Sequence, residues 1–234
     1  MNNFITFDYN KVIQSNLKSK KILMIGRASD IYKRFYLGIE SMKYIIEKLS
    51  KSEMIIVSNK IDIGNLTNLI QKLNLNENVK FVGYTSNPEI FFKEASLHIF
   101  PSIAEAFPMV LSETKIYGIP SVLLGIDYVS TSKEGNINIY DENPKIIAKF
   151  AIKILNNYSY RKNLGKEARK SMKKYDNNIL FKKWVKLLLS IYSGEKQYQK
   201  LCNEDLKISE NESINIIENQ IKLLRKRLRT CLTA

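Results

Sequence analysis

The sequence is poor in the residue types from which metal and nucleophilic sites are usually built. Its 234 residues include one histidine, two cysteines and one tryptophan. Cys202 and Cys231 stand near the C-terminus, neither in a C-x-x-C pair nor close to His98, so neither a zinc site nor a disulfide framework is expected. No D-x-D triplet and no His/Asp cluster occurs, which argues against a nucleotide held through a metal ion. A G-x-G-x-x-G dinucleotide fingerprint is missing, and so is a G-x-x-x-x-G-K-[ST] phosphate loop. No apolar run approaches the ~20 residues of a membrane span. The opening segment MNNFITFDYNK lacks the basic-then-apolar order of a signal peptide. These absences lead us to expect a cytoplasmic protein in a reducing compartment.

Positive charge, by contrast, is abundant. Thirty-seven Lys and Arg face 23 acids, a formal net charge of +14. From Lys145 to Lys186, thirteen basic residues meet two acids, Glu167 and Asp176, while the rest of the chain is nearly balanced. Such a field favours anionic partners: phospholipid head groups, phosphorylated substrates or nucleic acid. A merely solvated lysine-rich face has the same sequence signature.

Apolar runs at KKILMIG (20–26), EMIIVS (53–58), VKFVGY (79–84), LHIFPS (97–102) and IPSVLLG (119–125) have the length and content of buried strands, with NINIY (136–140) a weaker sixth. Helical patterns separate them. Phe35, Ile39, Met42, Ile46 and Leu49 fall on one face, as do Leu66, Leu69, Ile70 and Leu73. Asn87-Pro88-Glu89 and Asn143-Pro144 read as helix starts, with Asn as cap and Pro at the first helical position. A helix from about Met109 to Tyr117 is closed by Gly118, and helical pattern dominates from Pro144 to about Tyr198, with a break near residues 156–159. Strands alternating with helices predict an α/β fold with a parallel, doubly wound sheet. Residues 1–20 read as a linker or arm, 21–198 as a Rossmann-like domain with its packing helices, and 199–234 as an amphipathic basic tail. In that tail Ile214, Ile217, Ile221, Leu224, Leu228 and Cys231 repeat at heptad a/d spacing behind a capping box at Ser209–Glu212. So short a stripe suits docking on the same chain, on a partner or on a membrane surface.

In such a sheet, ligands bind outside the carboxyl ends of the strands. The first loop there holds Gly26-Arg27-Ala28-Ser29-Asp30, with Lys33 and Arg34 close behind. Cations opposite helix N-termini suit a diphosphate. The fourth loop runs from Pro101 toward Glu113, with Glu105 in the loop and Glu113 about one turn into the next helix. A carboxylate that accepts two hydrogen bonds suits a vicinal diol such as ribose, and a loop carboxylate beside helix-start amides suits sugar hydroxyls. Singly, each of these residues reads as a solvated charge. Their shared placement at strand ends makes them a candidate site.

These segments resemble the family 4 (group 1) glycosyltransferases. SIAEAFPMVLSETKIYGIPSV (102–122) is similar to that family's E-x7-E signature, and ILMIGRASDIYKRF (22–35) to its first strand and Arg…Lys pair. VKFVGYTSNPEIFFKEASLHIFPS (79–102) is similar to its third strand, short helix and fourth strand, and the likeness covers about residues 12–192. The resemblance implies the nucleotide-sugar-binding, C-terminal half of a two-domain GT-B enzyme. Such an enzyme needs no cofactor or metal. It transfers a sugar with retention of configuration from a nucleotide-sugar donor, here expected to be a UDP-sugar, to a saccharide or lipid-linked acceptor in polysaccharide synthesis.

By the same resemblance, Arg27 and Lys33 would bind the diphosphate and stabilise its charge, and Glu105 would contact the donor sugar. Phe107, Pro108, Met109 and Val110 would wall the sugar and phosphate, Glu113 would hold the ribose, and Gly83-Tyr84-Thr85 would lie along the base. Gly26 and Ala106 complete the substrate-contacting set. Ala106 and Pro108 depart from glycines common in the family, and Arg34 stands where Gly is common, which adds a charge near the phosphates. The family also implies a preceding Rossmann domain with a catalytic His. His98 lies inside a strand and reads as a packed core residue instead. The chain alone is therefore expected to bind donor and to transfer sugar poorly or not at all. Expected partners are an N-terminal half or a second copy through 209–232, and an anionic membrane surface; nucleic acid is disfavoured. Two other readings stay open at this level: a non-catalytic assembly or regulatory subunit, and an anionic-membrane or nucleic-acid-binding module using the 145–186 face.

Overall fold

The computed structural model describes residues 7–59, 63–126 and 128–192. It divides into two units: Ile5–Asp176, and a second that carries the helix Asn177–Tyr192. The heptad stripe and capping box of the tail lie outside the described residues.

The first unit is built on a sheet of six short strands: β1 (Lys21–Ile25), β2 (Glu53–Val57), β3 (Val79–Val82), β4 (Leu97–Phe100), β5 (Ser121–Leu124) and β6 (Asn136–Ile139). Their order is β3-β2-β1-β4-β5-β6 and every pairing is parallel. Each strand ends one or two residues before its apolar run does. Gly26, Ser58, Gly83, Tyr84, Pro101 and Ser102 have left the ladder and belong to the loops that form the site.

Alternation along the strands sorts side chains to the two faces. Ile22 and Met24 of β1, Met54 and Ile56 of β2, Leu97 and Ile99 of β4, and Val122 and Leu124 of β5 share one core. Against it pack α1 (Phe35–Lys48) and α5 (Pro144–Asn156), which also pack on each other. Ile39, Met42 and Ile45 of α1 are fully buried there, and each such side chain contributes about 1.5–3 kcal/mol. Ile46, which the spacing assigns to this face, is half-buried at its margin, and Ile45 is buried instead. Gly38 lets α1 lie close on β1, since a Cβ there would stand 2.4 Å from the Met24 Sδ. The opposite core joins Leu23 and Val57 to Phe92 of α3 (Glu89–Glu94) and to Tyr117, beyond α4 (Met109–Ile116).

Helix ends follow local chemistry at Asn143, whose Oδ1 accepts the Lys145 N–H at 2.9 Å with Pro144 in the first turn. Asn157 does the same for Tyr160 at the start of α6 (Tyr158–Ser171). The start expected at Asn87 is displaced. Pro88 is the cap of α3, the helix begins at Glu89, and the Asn87 N–H turns back to the Thr85 Oγ1 at 3.0 Å.

Residues 7–20 are tied into this unit. The Ser15 N–H donates to the Tyr117 carbonyl at 2.9 Å and its hydroxyl to Ala95 at 2.6 Å. The buried Arg161 guanidinium donates twice to the Leu17 carbonyl, at 2.9 and 2.7 Å, and again to Ile154 and Leu155. Arg169 donates to the carbonyls of Tyr9 and Ile116. These two arginines, counted by charge in the basic face, are clamps on the arm. Exposed lysines remain: Lys145, Lys149 and Lys153 along α5, and Lys162, Lys166 and Lys170 along α6.

Candidate active site

The chain winds from β1 through β2 to β3 on one side of the sheet, then from β4 through β5 to β6 on the other. Loops leaving the carboxyl ends of β1 and β4 therefore diverge, and a crevice opens between them. Both sets of charged candidates stand on those two loops.

The β1 loop is fixed at its root. The Gly26 N–H donates to the Val57 carbonyl at 3.1 Å, and the Ala28 N–H to the Ser58 hydroxyl at 2.9 Å. Gly26 has φ +146°, a conformation open to glycine. Asp30 accepts the Tyr32 N–H at 2.9 Å and so caps a 3₁₀ turn, Ile31–Lys33. Arg34 follows in the left-handed region at φ 47°, ψ 44°. That conformation costs a non-glycine residue about 1–2 kcal/mol. The guanidinium offsets the cost: its Nε donates to the Pro101 carbonyl at 2.9 Å, and a second nitrogen pairs with Glu142. The charge expected to reach the phosphates is instead buried in this bond across the crevice floor.

Lys33 is the cation that meets the carboxylate of the β4 loop. Its ammonium pairs with Glu105 Oε1, which also accepts the Ser102 hydroxyl at 2.7 Å. Both side chains are mostly shielded, Lys33 retaining 22% and Glu105 11% of their exposure. The Ile103 N–H donates to the Tyr32 carbonyl at 3.0 Å, so the two loops are also joined through backbone. Arg27 behaves differently. Its side chain is 77% exposed and lies 3.5 Å from Asp30.

Beyond Glu105, Ala106 is exposed, and the Phe107 ring meets Tyr175 edge-on at 5.7 Å. Pro108, extended at φ −75° and ψ 95°, introduces α4, and no side chain caps the first turn of that helix. Its opening amides, at Met109 and Val110, have the polarity that suits an anion. Glu113 stands one turn in and is half-buried. Gly83-Tyr84-Thr85 leave β3 at the same sheet edge, two strands from β1, with Tyr84 83% exposed. The structure thus brings Lys33 and Glu105 into contact. It sets Gly26 and Arg27 in one flanking loop, Ala106 to Glu113 in the other, and Gly83–Thr85 apart along the edge.

Three contributors escaped the sequence reading. Ser102, inside the quoted motif, supports Glu105. Tyr128, in the loop after β5, accepts the Glu105 N–H through its hydroxyl at 3.0 Å. Lys115, on α4, is completely buried and donates to the carbonyls of Thr131 and, at 2.6 Å, Glu134. Burial pushes its ammonium down to about 7. His98 is packed as expected. Its Nδ1 lies 3.3 Å from the hydroxyls of Ser121 and Thr114, and burial pushes the imidazole down to about 3. A hollow lined by Lys20, Lys48, Leu49, Ser50 and Lys51 lies at the amino-terminal edge of the sheet, away from all of these groups. Among the described residues no His, Cys, Asp and Glu side chains cluster as a metal ion would require, and no helix is long and apolar enough to cross a membrane.

A parallel sheet of this order with its charged groups at the β1–β4 switch point is a Rossmann-like, ligand-binding domain. The family model described as glycosyl transferases group 1 matches residues 6–171, and the chain belongs to that family. An uncharacterized glycosyltransferase of Haemophilus influenzae is 23% identical over 178 residues, 74% of this chain and 50% of the relative. The capsular polysaccharide biosynthesis glycosyltransferase CapM of Staphylococcus aureus is 25% identical over 190 residues, 77% and 48% of the two chains. The chain thus spans about half the length of these relatives. Among solved structures, HepE of Anabaena in complex with UDP and glucose superposes with a TM-score of 0.69 at 16% identity, over 79% of this chain and 55% of that one.

Proposed function

We propose that this domain holds a nucleoside-diphosphate sugar, a UDP-sugar in the first instance, in the β1–β4 crevice. It is the donor half of a retaining, metal-independent glycosyltransferase. The observation that carries this reading is the Lys33–Glu105 pair, built across the switch point of the sheet from the loops that leave β1 and β4. An arriving diphosphate draws the Lys33 ammonium to itself, and Arg27 and the opening amides of α4 add to the positive field. Glu105, relieved of its partner, accepts hydroxyls of the sugar. Glu113 takes the ribose diol, and Gly83–Thr85 borders the base. As the sugar leaves, charge grows on the diphosphate, and cations already in place stabilise it without reorganisation. That HepE holds UDP and glucose on the same fold supports the donor class. The acceptor, a saccharide or lipid-linked glycan, is suggested by the polysaccharide role in CapM's name. The relatives are about twice as long as the stretch matched here, and the acceptor side with its activating His is expected on the other half of a GT-B enzyme, so that this domain by itself is expected to transfer sugar poorly.

Peripheral binding to the cytoplasmic face of a membrane is the placement we favour. It is supported by the lysine rows on α5 and α6, each spaced by four residues along the outer helix face.

Calorimetric titration with UDP in the presence of EDTA tests the reading. Saturable binding that Glu113→Ala weakens at least tenfold supports it. Binding that Glu113→Ala leaves intact removes the ribose role and the proposed pose with it.

A further inference from the structure

The loop between β5 and β6 is anchored at several points although Tyr128, Ser130, Lys133 and Glu134 are exposed. Ile126 and Val129 are buried in a cluster with Phe100 and Leu111, at the root of the β4 loop and on α4. Thr131 and Ser132 are buried too, and the Ser132 hydroxyl donates to the Val129 carbonyl at 2.7 Å. From the other side, the buried ammonium of Lys115 grips the carbonyls of Thr131 and Glu134. The far end is closed at Gly135, where a Cβ would stand 2.1 Å from the Ala168 backbone nitrogen. Between these anchors Tyr128 is 60% exposed, and its hydroxyl oxygen accepts the N–H of Glu105 at 3.0 Å.

A phenol this rigidly aimed at the backbone of Glu105 does two things. Its hydrogen bond fixes the peptide that carries the carboxylate, and its ring is left mostly exposed at the edge of the β4 loop. We infer that Tyr128 is a specificity-determining residue for the donor sugar. Its ring and hydroxyl bound the sugar side of the site, leaving the nucleotide side to Lys33, Glu113 and the β3 loop. Lys115 anchors the loop that carries Tyr128. The inference rests on the donor-site reading and assigns a second, separable recognition element to it. Glu105 keeps two partners on its carboxylate without Tyr128, so losing the hydroxyl frees the Glu105 backbone N–H while the carboxylate stays held. Its remaining consequence is which sugar hydroxyls fit beside the Glu105 amide.

The test compares UDP with UDP-glucose and UDP-N-acetylglucosamine by calorimetry on the full chain, Tyr128→Phe and Tyr128→Ala. Tyr128→Phe removes one hydrogen bond, whose net value corresponds to about two- to tenfold in affinity. The expected result is an unchanged UDP affinity in both variants, with the ratio of UDP-sugar to UDP affinity shifted by that factor in Tyr128→Phe. In Tyr128→Ala the order of preference between the two sugars also changes. The residue is mostly exposed, and unchanged thermal melting of Tyr128→Phe excludes a folding defect. Wild-type ratios in both variants overturn the inference and leave the donor site standing. Failure of the wild-type chain to bind UDP at all overturns the donor-site reading, and this inference falls with it.

Discussion

Lys33 and Glu105 meet across the opening where the order of the sheet reverses, each the nearest opposite charge to the other and both largely shielded from water. On the proposed donor-site reading, the pair holds together two charges that a bound nucleotide sugar would draw apart. Replacing Lys33 with Ala removes the cation for the diphosphate and leaves Glu105 with the Ser102 hydroxyl alone. A charge-assisted hydrogen bond is worth about 1.5–3 kcal/mol. UDP affinity is expected to fall at least tenfold in calorimetry, and Arg27→Ala, which removes a mostly exposed side chain, to cost less. Equal losses for the two would contradict the assignment of Lys33 as the principal phosphate contact.

Arg34 holds a left-handed backbone that glycine would adopt without strain, yet its guanidinium ties α1 to the Pro101 carbonyl. Two substitutions separate these terms. Arg34→Ala loses the buried bonds and keeps the strain, so it is expected to destabilise by about 2–3 kcal/mol. Arg34→Gly loses the same bonds but relieves about 1 kcal/mol of conformational cost. Urea titrations should rank wild type above Arg34→Gly and Arg34→Gly above Arg34→Ala. A glycine variant no more stable than the alanine variant would show that the left-handed conformation carries no cost here.

His98 supplies a pH signature independent of the site. Its folded value is held down to about 3 by burial, against an ordinary value of 6.5. The unfolded chain therefore binds the proton first, and stability is full above pH 6.5 and falls as pH drops toward 3. About 2 kcal/mol should be lost between pH 7 and pH 5 through this group. Chemical denaturation of His98→Asn should be less stable at pH 7 but should lack this part of the slope. An identical slope in both proteins would mean that the imidazole is hydrated in the fold.

The exposed lysine rows give a prediction about surfaces. Lys149→Glu with Lys166→Glu reverses one charge on each helix, and a basic residue near an anionic bilayer contributes about 1 kcal/mol. Co-sedimentation with phosphatidylglycerol vesicles at low salt should drop more than tenfold, while UDP affinity stays within a factor of two. No vesicle binding by the wild-type chain would leave the rows as a solvated face.

Much of this was legible before any coordinates. The central runs became β4 and β5 because a parallel strand buried throughout is built from near-continuous apolar side chains, while the edge strands β3 and β6 are only partly buried, and the Asn143-Pro144 start was written in capping chemistry. Lys33 and Glu105 could be named from their places at strand ends. Their direct contact could not, because it joins residues 72 positions apart. Arg34 misled for a different reason: the glycine common at its position in the family marked a left-handed backbone, but the position was read by its charge instead. Arg161 and Arg169 were counted as surface charge, since a guanidinium that bonds to carbonyls leaves no spacing pattern. Tyr128 was invisible because its partner is a backbone amide, and Lys115 because a lysine inside a helix reads as solvent-facing until its carbonyl partners are seen.

The most direct test of the donor-site account is a crystal structure of the chain with UDP. The account predicts the diphosphate between the β1 loop and the start of α4, with Lys33 drawn off Glu105 onto a phosphate oxygen and the ribose on Glu113. UDP bound elsewhere, for example in the lysine-lined hollow at the opposite edge, with the Lys33–Glu105 pair unbroken, would contradict it.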